Sequence, residues 1–158
     1  MHLVIVESPY AGNVERNALY LKLAMHGCLQ RGEAPFASHM LYTQILDDTV
    51  HVQRELGIAA GLAWGRAAVL TVVYEDFGIS GVMQRGIDRA VAEGRAVEHR
   101  KLGDEIKSAI ENALLGCEGG ECLAWATFQI DCKSCRSRKR AWHRIGLPYI
   151  RRLTFGGR

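Results

Sequence analysis

Two short segments concentrate the groups that can do chemistry. Glu7-Ser8-Pro9-Tyr10 places an acid, a hydroxyl and a phenol directly after an apolar run, with Pro9 pinning the turn. Asp76-Phe77-Gly78-Ile79-Ser80-Gly81 follows a second apolar run. There Asp76 can hydrogen-bond a sugar hydroxyl or a base, the glycines admit close backbone approach, and Ser80 can cap a helix whose free N–H groups favour an anion such as phosphate. Each segment also has a plain reading, as a solvated loop and as a tight strand-to-helix turn. His39, within PFASHMLY, titrates near neutral pH and can bind substrate or shuttle a proton, although a lone loop histidine is as readily structural.

A different chemistry is written near the C-terminus. Cys117 and Cys122 form C-x4-C, and after nine intervening residues Cys132 and Cys135 form C-x2-C. Two close pairs on a short connector suit a tetrahedral structural zinc ion. Four unliganded thiols or a C-x2-C redox pair are the alternatives, and disulfides are the weaker reading in a reducing compartment. The chemistry of the two loops itself calls for no cofactor.

The elements that must position these groups follow from periodicity. Leu3 to Val6 and Ala67 to Tyr74 are continuous apolar runs rich in β-branched residues, as in strands buried on both faces of a parallel sheet. Ala34 to Ala37 and Arg95 to Glu98 read as weaker strands, and Ser38 to Asp48 as a loop. Val14, Ala18, Leu21, Met25 and Cys28 stripe one helix that ends at Gly32. Val52, Leu56, Ala59, Ala60 and Ala63 mark a second, and Met83, Ile87, Ala90 and Val91 a third. Asp104 to Leu115 is a fourth, with Ile106, Ile110, Ala113 and Leu114 inward. Alternating strand and helix predicts an α/β fold, a flavodoxin- or Rossmann-like parallel sheet with helices on both faces, whose ligand sits at the carboxyl ends of the strands.

Composition agrees with a folded chain. Of 158 residues 48% are apolar and 23% charged, which excludes disorder, collagen and coiled coil. No apolar run approaches the roughly 20 residues of a membrane helix, so a cytoplasmic protein without membrane contact is expected. The net charge of +3 is a cancellation: residues 131–158 hold nine bases against Asp131, a local +8, while residues 1–130 carry −5. Two parts follow, an α/β domain over 1–115 and a basic, cysteine-bearing appendage over 116–158. With Trp142 and Tyr149 interleaved, the appendage can grip nucleic acid, or form a solvated face, or dock on an acidic domain.

Together the segments ESPYAG, PFASHMLY, AAVLTVVYEDFGISGVM and AVEHR resemble the nucleoside 2-deoxyribosyltransferase-like superfamily, closest to a small branch of bacteria and their phages, over about residues 1 to 102. The resemblance implies a flavodoxin-like domain, commonly dimeric, that breaks the N-glycosidic bond of a deoxynucleoside or its 5′-monophosphate by carboxylate attack on the anomeric carbon, through an oxocarbenium-like transition state. It places Tyr10, Asn13 and His39 around sugar and base, with Ser8 beside them. Asp76 would position the substrate, and Gly78, Ser80 and Met83 would line the sugar or phosphate region. In the superfamily the attacking Glu lies early in the helix after the Asp-containing loop. Here the equivalent stretch, Gln84 to Gly86, has no carboxylate. Either one of the acids at the strand ends, Glu7, Glu75 or Asp76, has taken over, or the domain binds a nucleotide without cleaving it.

Overall fold

The computed structural model describes residues 1–115. Met1–Ile110 form one compact unit, and a second begins at Glu111. Cys117, Cys122, Cys132 and Cys135, the basic segment and the nucleic-acid and zinc expectations attached to them lie outside the described residues.

Strands β1 (His2–Glu7), β2 (Glu33–Phe36), β3 (Leu70–Tyr74) and β4 (Ala96–Arg100) form an all-parallel sheet in the order β2-β1-β3-β4. The two central strands are the two strongest apolar runs of the sequence, and Val4, Val6, Val72 and Val73 are each no more than 1% exposed. Pro35 falls in the edge strand β2, where its missing N–H leaves the ladder intact. Helices α1 (Val14–Gln30), α2 (Ser38–Tyr42), α3 (His51–Trp64) and α4 (Gly81–Ala92) supply the connections, and α5 (Asp104–Leu115) follows β4. Right-handed crossovers put α1 on one face of the sheet and α3 and α4 on the other. No helix among the described residues is long and apolar enough to cross a membrane.

The chain leaves β1 toward β2 on one side and leaves β3 toward β4 on the other. Between the carboxyl ends of β1 and β3 lies the switch point at which such sheets open a crevice. A strap on the α1 side reinforces the sheet: Arg100, ending β4, donates two hydrogen bonds of 2.7 Å to Glu33, which starts β2.

Two expectations about helix faces and one about a loop are corrected. On α1 the buried residues are Asn17, Tyr20, Leu21, Ala24 and Cys28, whereas Val14 is 46% exposed. Asn17 and Tyr20 go inside because their polar atoms find partners there: Asn17 Nδ2 donates to the carbonyls of Tyr10 and Ala11, and the Tyr20 hydroxyl donates to Asp76. On α3 the apolar stripe points outward, with Val52 and Leu56 exposed, because Gly57 and Gly61 turn the other face toward α2. A Cβ at Gly61 would fall 2.6 Å from that of Ser38, so only glycine allows this approach. The segment read as a loop after β2 contains the five-residue helix α2.

Candidate functional site

The loop after β1 is fixed from below. Asn17 holds the carbonyls of Tyr10 and Ala11 at 3.0 and 2.9 Å, so Glu7, Ser8 and Tyr10 are presented on rigid backbone. Facing them are α2, the inner side of α3, and the first turn of α4. Together they enclose a cavity of about 340 Å³ at the switch point, within the size range of small-ligand sites. Glu7, Ser8, Tyr10, His39, Ser80 and Met83 all line it.

Glu7 is the unusual member. Its carboxyl lies against Gly86 of α4, where a Cβ would overlap Oε1. Burial pushes it up to about 8, with the Arg95 charge pulling weakly the other way, and it has no hydrogen-bond partner among the described residues. A carboxyl so placed stays protonated near neutral pH and offers a proton inside the cavity.

His39 stands on α2. Its Nε2 lies 3.0 Å from the Ser8 hydroxyl, and the Tyr10 ring meets it edge-on at 5.6 Å. Burial holds the imidazole down to about 4, so it is neutral in the same pH range. Thr43, one turn further, bonds both the His39 carbonyl (2.7 Å) and the Tyr10 hydroxyl (3.0 Å). At the first turn of α4, the Ser80 side chain accepts from the Met83 amide, while Gly81 and Val82 border the cavity. Arg54 of α3 lines it too, 3.9 Å from Asp48. Helix N–H groups and a guanidinium are what an anionic ligand group needs.

Three sequence candidates lie outside the lining. Asn13 caps α1, accepting from the Arg16 amide at 3.1 Å. Gly78 sits at φ +84° as the corner of the β3 turn, a conformation that favours glycine. Asp76 is committed elsewhere: its carboxylate accepts from the Tyr20 hydroxyl at 2.5 Å and from the Leu102 and Gly103 amides at 2.9 Å each. Burial raises its pKa, but these bonds outweigh that and hold it below the usual carboxylate range. Asp76 therefore ties the end of β3 to the loop after β4.

Sequence reasoning passed over Thr43 and Gly86. A glycine inside the amphipathic α4 was the available signal for Gly86, since it weakens a helix unless something approaches closely. Nothing local marked Thr43. Among the described residues, no three His, Cys, Asp or Glu side chains converge to hold a metal ion.

Residues 2–100 match the profile of a family described as "Domain of unknown function (DUF7768)". A search of the curated proteins finds no match.

Proposed function

We propose that this chain, which belongs to the DUF7768 family, is a nucleotide-directed enzyme whose cavity breaks the N-glycosidic bond of a deoxynucleoside or its 5′-monophosphate. The observation that carries the reading is the Glu7 carboxyl, mostly buried, without a hydrogen-bond partner among the described residues and lining a cavity at the switch point. An acid that keeps its proton at neutral pH suits protonation of a departing base, and burial of this kind marks sites where proton transfer is used. The first turn of α4 with Arg54 suits a phosphate, and Tyr10 offers an aromatic surface for a sugar or base. The resemblance of the ESPYAG, PFASHMLY and EDFGISGVM segments to deoxyribosyltransferase-like proteins supports the same substrate class.

The test is release of free base from a broad panel of nucleosides and nucleoside monophosphates by the purified chain. Release that Glu7→Gln abolishes is expected, and no release across the panel sinks the reading. A second reading, a module that binds a nucleotide intact, draws on the stretch Gln84 to Gly86, which has no carboxylate where the superfamily carries its Glu. Calorimetry then finds tight binding of a ligand that stays unchanged on long incubation. We also expect a homodimer: Val52 and Leu56 of α3, with Leu41 and Ile45, leave large apolar side chains exposed. Sedimentation should show two copies, and Leu56→Asp should shift them toward one.

A further inference from the structure

Glu7 and Ser8 are consecutive, yet they serve different walls of one cavity. The Glu7 carboxyl goes to α4, where Gly86 makes room for it, and the Ser8 hydroxyl goes to α2, where it meets Nε2 of His39. Extended backbone explains the divergence, since neighbouring side chains project to opposite sides. A ligand seated between them has a carboxyl on one flank and an imidazole on the other.

Ser8 is 3% exposed, so its hydroxyl holds the ring and has little surface to offer a ligand. The bond to Ser8 uses Nε2, and among the described residues it is the one hydrogen bond found at the ring, which leaves Nδ1 for a ligand or water in the cavity that His39 lines. In the tautomer in which Ser8 Oγ accepts from Nε2–H, Nδ1 carries a bare lone pair, which is the form of a general base whose tautomer is set by its second bond. Thr43 fixes the backbone of the same residue through the His39 carbonyl.

Resting on the N-glycosidic reading, we propose that His39, oriented by Ser8, activates a water against the anomeric carbon while Glu7 protonates the departing base, so that the site hydrolyses its substrate in one displacement and does not pass the sugar to a second base. The water oxygen forms its bond to the anomeric carbon as the bond to the base nitrogen breaks. One water proton goes to Nδ1, the other hydrogen stays on the sugar as the new hydroxyl, and the base nitrogen takes the Glu7 proton. Imidazolium and carboxylate then reset by exchanging one proton through solvent. Acid and base acting from opposite sides is the arrangement of inverting glycosidases. His39 is thereby a catalytic residue and Ser8 a positioning residue.

The experiment incubates the full chain with deoxynucleoside 5′-monophosphates, methanol and a second, isotopically labelled free base. Expected products are free base and a methyl glycoside of inverted configuration, with no label entering the nucleotide pool. His39→Asn should lower kcat by about 10²- to 10⁴-fold. Ser8→Ala should lower kcat with little change in KM, and Ser8→Thr should recover most of the loss. Labelled nucleotide, a retained methyl glycoside or a sugar adduct on Glu7 overturns the single displacement and leaves the N-glycosidic reading standing. A folded His39→Asn that keeps the full rate overturns the role of His39. Absence of base release from every nucleotide overturns both.

Discussion

The ends of β1 and β3 are neighbours in the sheet, and each carries an acid, yet the two acids have opposite fates. Asp76 after β3 is saturated by a phenol and two backbone amides drawn from α1 and from the loop after β4. Among the described residues Glu7 at the end of β1 has no such donors, and it rests on the bare backbone of Gly86. A saturated carboxylate has its lone pairs spent on holding the chain and works as a strut. An unsaturated, buried one is held at a free-energy cost by the rest of the fold, and its acceptor and donor capacity remains for a ligand. The difference lies in partners, because the residue type and the place at a strand end are alike.

The sharpest way to break this contrast is to exchange carboxyl for amide at both ends. Glu7→Gln should cut base release by about 10²- to 10⁴-fold, whereas Asp76→Asn, measured on the folded fraction, should leave it near the wild-type rate. Equal losses would erase the distinction. Next in size, Gly86→Ala should displace the Glu7 carboxyl and cost about 10²-fold in the same assay, the scale of a misplaced catalytic group. In a Glu7→Ala background the Gly86→Ala change should add almost nothing, since the two share one volume.

Stability separates the two ends by the sign of their pH dependence. The Glu7 pKa in the folded chain lies above its ordinary 4.5, at about 8, so its penalty is absent below 4.5 and grows as pH rises toward 8. Glu7→Gln should therefore stabilise the protein by about 3 kcal/mol at pH 7 in denaturant titrations, and the gain should vanish near pH 4. Asp76 is shifted down, so its contribution is present above the ordinary carboxylate range and fades as pH falls through its folded value. Asp76→Asn replaces one acceptor oxygen with an NH₂ donor facing N–H and O–H donors and should destabilise by roughly 1–3 kcal/mol at pH 7, with a smaller deficit in acid.

Much of the sheet was legible because a parallel strand buried on both faces leaves an apolar run rich in β-branched residues, as in Val4 to Val6 and Val72 to Val73, although the run from Ala67 becomes strand only at Leu70 and Val69 is 60% exposed. The inward side of α1 was less so, since Asn17 and Tyr20 are buried by hydrogen bonds that hydrophobic spacing does not register. For α3 the glycines mattered more than the apolar stripe, because close helix packing is decided by what is missing at positions 57 and 61. At the site, the two strand-end segments were readable as places where chemistry collects. Which acid would be spent on structure was not, because the donors to Asp76 come from residues 102 and 103, far along the chain and unremarkable in type.

The glycine at position 86 also bears on how such a site can be inherited. Residue 7 and residue 86 compete for one small volume beside the cavity, so a carboxylate can be delivered there from the strand or from the helix, but not from both at once. Across descendants of this fold the two positions should trade places as a pair, an acid at one accompanied by the smallest residue at the other.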